Sequence, residues 1–499
     1  MLVRLRSATI IEYLPFNPSN ARLFSQNSLR MARSTPPAFH YPKPETKLTV
    51  PTIHPLRLEP IKPPASRGTV PLAEAWIRDN RAVPFAGSGF IRSTHVIPAA
   101  TPRVLSFGLS EEELPADKEA RNKRVEELSR ALFLKKQALE RGEEVPGLVP
   151  ADDKKTPKLF NVLDRYALAS NPPLRGKGIT LVLAHANGFP RRIWEPFLLT
   201  LLKTFAKEKK EDGPYIEEIW SFETVNHGDS ALLNDGKLGD TFNWADNSRD
   251  ILNFLLHFLP SNPQEVGLPS ALDPISLDES SRRSRFGFPK RKLVGIGHSL
   301  GGCTMARAAI DFPSLFSSVV VVDPVIMPAI DKDPGGAIEK LQLGAVARKT
   351  RWSSREEALE SFRKTPFFQS WDPAILDIYV AEGTAPDPIA GGVKLKQSGF
   401  HEASVFAERR VPVETWELLE SLHEKVYLFW AMSGRKPVVT GPEEVTRQTV
   451  WRRPKNSSNV RIEKAGHLIV HEAPEALAQA VSGHLWTRFT EAEPPIARL

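Results

Sequence analysis

The spacing of apolar positions changes character along the chain. From Leu159 onward, short apolar runs alternate with stretches that repeat every three to four residues, which predicts strands alternating with helices. Phe160–Leu168 alternates apolar and polar positions like an early strand. Ile179–Ala184 is almost continuously apolar, the mark of a strand buried on both faces, and a helix follows from about Trp194 to Lys207. The next strand is predicted over Glu218–Val225 and a helix over roughly 244–259. Leu293–Ile296 leads into a glycine-rich turn and a helix of small residues, and Ser317–Pro324 is a strand of β-branched residues. The rhythm resumes at Lys425–Ala431 and closes with Asn459–Leu468 and a helix over about 473–489. This order predicts a mostly parallel central sheet with helices on both faces. Two segments interrupt it. Residues 260–290 are rich in Pro and Ser and read as a surface loop. Residues 326–423 carry helical stretches near 336–349, 353–364, 372–382 and 413–423, and are predicted to form a cap over the strand ends, where this architecture binds ligands.

The N-terminal third has a different pattern. Residues 1–45 hold five arginines, Arg4, Arg6, Arg22, Arg30 and Arg33, and a lone acidic residue, Glu12, before position 45. That composition suits a mitochondrial presequence, an unstructured leader, or a start at Met31. Residues 42–105 are dense in proline and are expected to be extended and poorly packed, with some order in 70–98 around Ala75-Trp76-Ile77 and Phe85-Ala86-Gly87. Residues 110–142 are expected to be helical, with a Ser110/Glu113 capping box, a highly charged helix over 117–141 striped by Val125, Leu128, Ala131, Leu132 and Leu139, and an end at Gly142. The expected organisation is therefore a leader (1–45), an N-terminal extension (46–158), a core in two parts (159–325 and 424–491) around the cap (326–423), and a tail (492–499).

Composition narrows the functional classes. The chain of 499 residues has a single cysteine, Cys303, so no intramolecular disulfide can form, and Cys303 reads as a small packing residue. A net charge of +7 without a dense basic block interleaved with aromatics gives nucleic-acid binding little support. No apolar run is long enough for a membrane helix. Neither a metal-ligand set with sensible spacing nor a nucleotide-binding glycine motif is present, so no metal or cofactor is expected.

The chemistry converges on Gly297-His298-Ser299-Leu300-Gly301, a G-x-S-x-G turn between a strand and a helix. Such a turn holds a serine hydroxyl above the sheet at a helix N-terminus, with Gly297 and Gly301 required because a Cβ there would strike neighbouring backbone. A serine nucleophile needs a base, an acid that orients the base, and donors for an oxyanion. His467, after the last strand and preceded by Gly466, is favoured as base over His471. Residues 433–436 contain no carboxylate, so Asp323, at the end of the preceding strand, is the favoured acid, with Glu443 and Glu444 as fallbacks. Backbone N–H groups of Leu300 and of Asn187 or Ala186 are the expected oxyanion donors. His185, His227 and Asp229 are assigned to ordering loops.

These residues resemble the α/β-hydrolase superfamily, in the chain order serine, acid, histidine. Residues from about 159 to 489 are similar to a fungal branch that includes hydrolases of host-selective toxin biosynthesis and, more distantly, the yeast peroxisomal lipase. The likeness runs through Ala184-His-Ala-Asn-Gly-Phe189, Asn226-His-Gly-Asp229, the Ser299 motif and Trp352-Ser-Ser-Arg-Glu-Glu-Ala358. It continues through the run from Trp371 to Val380 and that from Gly466 to Pro474. Ala186 departs from the glycine common in relatives, and the N-terminal region has no counterpart. In that branch a carboxylate-Pro pair follows the nucleophile helix, here Asp323-Pro324. The resemblance implies an α/β-hydrolase fold with a helical cap and a serine hydrolase of the esterase or lipase kind. Its expected substrate is a small hydrophobic ester or thioester. Carbon–carbon bond hydrolysis or perhydrolysis by the same triad is the enzymatic alternative, and a non-enzymatic component of a mitochondrial assembly is the other. The C-terminal Ala497-Arg498-Leu499 resembles a peroxisomal address read by an import receptor, so peroxisome is favoured over the mitochondrion suggested by the basic N-terminus.

Overall fold

The structure, a computed structural model, describes residues 40–64, 82–150, 156–169, 178–207, 213–289, 291–330, 337–435, 437, 439 and 441–490. Most of the leader, the Ala75-Trp76-Ile77 patch and the C-terminal tripeptide lie outside the described residues.

Twelve strands position the site. They are β1 (Val83–Phe85), β2 (Phe90–Pro98), β3 (Phe160–Leu168), β4 (Gly178–Ala184), β5 (Tyr215–Phe222), β6 (Lys292–His298), β7 (Ser318–Val322), β8 (Arg351–Trp352), β9 (Thr384–Pro386), β10 (Val393–Leu395), β11 (Tyr427–Ser433) and β12 (Ser457–Ile462). Nine of them form one sheet in the order β1-β2-β3-β5-β4-β6-β7-β11-β12. From β5 to β12 the neighbours run parallel, and β1, β2 and β3 add an antiparallel edge. The helices that matter to the site and its surroundings are α1 (Lys118–Glu140), α2 (Glu195–Lys207), α3 (Trp244–Asn253), α4 (Leu277–Phe286), α5 (Leu300–Asp311), α6 (Ala337–Ala347), α7 (Arg355–Arg363), α8 (Pro373–Gly383), α9 (Gly399–Phe406), α10 (Arg410–Leu418) and α11 (Pro474–Thr490).

The period of two along each strand separates two cores. Val182 and Ala184 of β4 face one side with Trp220, Val321 and Trp430, under side chains of α3 and α5 such as Ile251 and Met305. Leu181 and Leu183 face the other with Ile219, Val320 and Val322, under Phe197 and Leu201 of α2 and Leu477 and Val481 of α11. Both faces of the parallel strands are covered, which is why those strands read as continuous apolar runs.

Five expectations are corrected. The strand predicted over 218–225 runs from Tyr215 to Phe222, and its acidic residues have internal partners: Glu217 accepts from Thr180 Oγ1 at 3.1 Å, and Glu218 lies 2.6 Å from Arg165 and 2.8 Å from Arg291. The 260–290 loop contains α4, capped by Ser276 and anchored by buried Arg283, whose guanidinium donates to the carbonyls of Leu255 and Leu259. The helical stretch expected from 110 starts not at a Ser110/Glu113 box but at Asp117, whose side chain accepts from Ala120 N–H; Pro115 keeps the preceding residue out of helical geometry. The last helical stretch of the insertion, predicted near 413–423, starts earlier as α10 at Arg410. The Pro-rich stretch is extended and no residue of 42–64 is buried, but hydrogen bonds tie it down, and from Phe90 it packs into the sheet as β2. Tyr41 is 2% exposed; its N–H donates to Asn459 Oδ1 at 2.7 Å and its carbonyl accepts from Trp451 Nε1. Farther along, Leu56 O accepts from Arg307 of α5, and Glu59 and Pro60 carbonyls accept from Arg249 of α3. Extended backbone carries unpaired carbonyls, and buried arginines supply the donors.

Between β7 and β11 the expected helices are joined by α9 and by a small antiparallel sheet, β8-β10-β9. The apolar stripe of α1, Val125, Leu128 and Leu132, packs on Ala345, Val346, Phe400 and Ala403 of α6 and α9. Lys136 of α1, buried in the same contact, lies 2.7 Å from Glu408.

Candidate active site

Ser299 stands between β6 and α5 with φ 54° and ψ −114°, a conformation costly for a residue with a side chain. Three bonds hold it there: Ser299 N–H to Val322 O at 3.0 Å, and Cys303 and Val325 N–H to Ser299 O. The glycines around it are steric requirements. A Cβ on Gly297 would sit 2.2 Å from Gly301 O, one on Gly301 2.3 Å from Ala184 O, and one on Gly302 2.8 Å from Pro324 Cβ. Only chains without side chains there let α5 start this close to β4 and β7.

Asp323 follows β7 with φ 37°, its N–H bonded to Ala431 O. Its Oδ1 accepts from Ser433 N–H at 2.9 Å, so the β11 backbone fixes the carboxylate. Its other oxygen lies 2.7 Å from His467 Nδ1, and His467 Nε2 lies 3.0 Å from Ser299 Oγ. With Nδ1–H donating to the carboxylate, Nε2 is left to accept from the serine hydroxyl. The three side chains named from the sequence are thus in one hydrogen-bonded line. Glu443 instead pairs with Arg461, and Glu444 with Arg447. His471 is fully buried with its ring 4.1 Å from Phe189 and 4.6 Å from Trp371, a packing position.

The 185–189 loop lies beside the N-terminus of α5. His185 bridges from Ala186 O, at Nδ1, to Thr224 N–H, at Nε2. Gly188, at φ 92°, donates its N–H to His227 Nε2 at 3.1 Å, which makes that nitrogen the acceptor and places the ring proton toward Asn226 Oδ1. Asn187 is gripped by its side chain, with Nδ2 donating to Glu402 O and Oδ1 near Gln397 Nε2. Among the described residues, no turn or helix bond uses the N–H of Ala186, Asn187 or Leu300. Burial lowers the pKa of His185 to about 4 and that of His227 well below the usual imidazole range, so both are neutral posts at pH 7.

Asp229 orders its surroundings. It pairs with Arg191 at 2.8 Å and Lys396 at 2.5 Å, and Arg191 also reaches Glu223 and Asp164. Arg192 joins Asp164 to Glu382 of α8. Burial pushes the Asp229 carboxyl upward, but Arg191 and Lys396 outweigh it and hold it below the ordinary range. This buried charge network ties the insertion to the sheet. Its arginines follow the Ala-His-Ala-Asn-Gly-Phe run after Pro190, yet sequence alone does not pair them.

Two further residues were not legible as site residues. Glu472 accepts from Gly466 N–H at 2.9 Å and pairs with Arg435, clasping the loop that carries His467. His298, the residue before the serine, places Nε2 2.9 Å from His467 O. Burial and the neighbouring His467 push His298 down to about 3, so it is neutral and donates from Nε2–H. Replacing His298 with Leu removes that strut. The expected result, with His467 as the expected base, is a fall in kcat of up to about 100-fold with little change in KM, because the His467 ring drifts while the rest of the site stays. His298→Gln, which keeps an N–H donor, recovers most of the loss. Steady-state kinetics on the two variants checks this.

Among the described residues no group of three or more His, Cys, Asp or Glu side chains could hold a metal ion, and no helix is long and apolar enough to cross a membrane.

Comparison with known proteins places the fold. A crystal structure of the Saccharomyces cerevisiae peroxisomal alpha-beta-hydrolase Lpx1 superposes with a TM-score of 0.55 over 82% of this chain and 93% of that one, at 20% identity, which shows the shared fold. In sequence, the type I acyl-CoA thioesterase mpaH of Penicillium roqueforti is 25% identical over 292 residues, 57% of this chain and 58% of that protein. The peroxisomal membrane protein LPX1 of S. cerevisiae is 27% identical over 234 residues, 44% of this chain and 53% of that protein. The abhydrolase domain-containing protein AFT2-1 of Alternaria alternata is 34% identical over 98 residues, 20% of this chain and 36% of that protein. The chain thus spans about half the length of the thioesterase and yeast relatives it matches. The model of the alpha/beta hydrolase family matches residues 181–480, from β4 to α11. With that match over most of the chain and the sheet order around Ser299, this protein belongs to the alpha/beta hydrolase family.

Proposed function

We propose that the protein is a serine hydrolase that cleaves an ester or thioester with a hydrophobic acyl part through Ser299, His467 and Asp323. The observation that carries this is the unbroken line from Asp323 Oδ2 through the His467 ring to Ser299 Oγ, 2.7 and 3.0 Å per link. In this reading His467 Nε2 takes the serine proton as Oγ attacks the carbonyl carbon. The resulting oxyanion accepts from the N–H of Leu300 and from that of Asn187 or Ala186. His467 then protonates the leaving alcohol or thiol, and Asp323 stabilises the imidazolium in between. Water, deprotonated by the same histidine, releases the acid and regenerates Ser299. Trp371 and Tyr379 of the insertion pack ring against ring on Phe189 of the 185–189 loop, apolar surroundings that favour an apolar acyl group. A thioester is supported by the thioesterase named among the relatives. We assign the protein to peroxisomes, on the C-terminal Ala497-Arg498-Leu499 and the peroxisomal relative.

The test is labelling with a fluorophosphonate. Wild-type protein is expected to be labelled and Ser299→Ala to remain unlabelled at equal thermal stability. Folded wild-type protein that resists the probe would overturn the reading.

A further inference from the structure

The turn that ends β11 carries both partners of Ser299. Ser433 N–H donates to Asp323 Oδ1 at 2.9 Å. Ser433 Oγ donates to Ala465 O at 2.9 Å, and Arg435 N–H donates to the same carbonyl at 3.2 Å. Ala465 stands two residues before His467. A shift of residues 433–435 therefore moves the carboxylate and the imidazole together.

Arg461 secures this turn. It lies on β12 in register with Met432 of β11, so its side chain passes the end of that strand. Its Nε donates to Ser433 O at 3.2 Å, one terminal nitrogen donates to Gly434 O at 3.1 Å, and the other to Glu443 at 2.9 Å. The side chain is only 12% exposed. Its guanidinium carbon lies 4.5 Å from the centre of the Tyr41 ring. Tyr41 is clamped there through its main chain, to Trp451 and to Asn459, which lies two residues before Arg461 on the same face of β12. An aromatic face attracts a guanidinium and keeps water off it. The N-terminal strap, residues 40–64, thus ends on the one side chain that donates to both Ser433 and Gly434.

We propose that Arg461 is a positioning residue for Asp323 and His467, and that the Tyr41 ring holds Arg461 in that place. The strap is then part of the hydrolytic machinery, and the reaction is fast only while its Tyr41 end is docked. The inference rests on the proposed roles of Ser299, His467 and Asp323.

The test is the time course of fluorophosphonate labelling in the full-length protein. The endpoint counts folded sites, so a variant that is merely less stable loses endpoint and keeps its rate. A loosened triad keeps the endpoint and loses rate. Arg461→Met, which retains an unbranched stem without donors, is expected to react about 100-fold more slowly. Tyr41→Leu keeps the main-chain clamp and the apolar bulk but not the aromatic face, and is expected to be slower by about tenfold. Tyr41→Phe, which keeps that face, is expected to stay within about twofold of wild type. With a p-nitrophenyl ester the same losses are expected in kcat, with KM changed by less than about twofold. An Arg461→Met rate within about threefold of wild type overturns the positioning role and leaves the hydrolase reading standing. A Tyr41→Leu rate equal to that of Tyr41→Phe overturns the part given to the strap, and this pair decides alone should Arg461→Met not fold. Folded wild-type protein that is never labelled overturns the hydrolase reading and this inference with it.

Discussion

Asp323→Asn is expected to lower kcat by roughly 10,000-fold while leaving the fold and KM nearly unchanged. The reason lies in which atom faces which. Asp323 receives two donors, Ser433 N–H on one oxygen and His467 on the other. An asparagine has a single acceptor oxygen to offer. If that oxygen stays on Ser433 N–H, the amide NH2 points at His467 Nδ1 and turns that nitrogen into an acceptor. The ring proton then moves to Nε2, directed at Ser299 Oγ, and the serine has no base. Turning the amide over instead places NH2 against Ser433 N–H, donor against donor at a buried site. Either way the asparagine fits the volume and fails the chemistry. Burst kinetics with a p-nitrophenyl ester, set beside thermal unfolding, would separate the two. A variant that kept more than a tenth of the wild-type kcat would show that Asp323 is not the orienting acid.

Gly301→Ala is expected to destabilise the protein by about 3 kcal/mol or more and to abolish fluorophosphonate labelling of whatever remains folded. The added Cβ would stand 2.3 Å from Ala184 O, 2.6 Å from Ala184 C and 2.7 Å from His185 O. All three atoms are backbone, at the end of a strand with neighbours on both sides, so no flexible side chain can give way. The helix α5 must retreat from β4. Its first N–H, that of Leu300, moves with it, away from the N–H groups of Ala186 and Asn187. One methyl group therefore strains the core and opens the proposed oxyanion site together. Urea denaturation of wild type and variant measures the first effect. A loss of stability below about 1 kcal/mol would mean that the close approach of α5 to β4 is not needed.

The strands and helices that carry the reacting groups were legible because their pattern is local. β4, β6 and β7 are buried on both faces and read as apolar runs, and Gly297 and Gly301 flank Ser299 in sequence as they do in space. Asp323 and His467 could be named because strand ends set their places. The supports were not legible. His298 acts through a carbonyl 169 residues away, and nothing in either segment advertises that contact. Arg191, Glu223, Asp229 and Lys396 look like four surface charges until the fold buries them together. Proline density suggested a loose N-terminal stretch because proline reports the absence of regular structure, not of hydrogen bonds to other elements. The donors that hold that stretch, Arg249 and Arg307, sit in helices whose patterns gave no reason to look for a partner.

That strap also sets an order of events during synthesis. Tyr41 is fastened by Trp451 and Asn459, and Tyr41 and Asn459 are 418 positions apart. A ribosome making this chain releases the strap early and the groove that receives it near the end. Arg249 and Arg307 can take up the carbonyls of Leu56, Glu59 and Pro60 once α5 is made, but the Tyr41 end of the strap has no Trp451 or Asn459 to bond until they follow. The helix α5 can form beforehand, but the last strand and the Tyr41 end of the strap can only be closed together. Contacts of such long range make for slow folding and prolong the exposure of unfinished surface. A fragment cut at the limits of the family match would omit the strap with β1, β2 and β3, and would leave the groove beside Trp451 and Asn459 without its occupant.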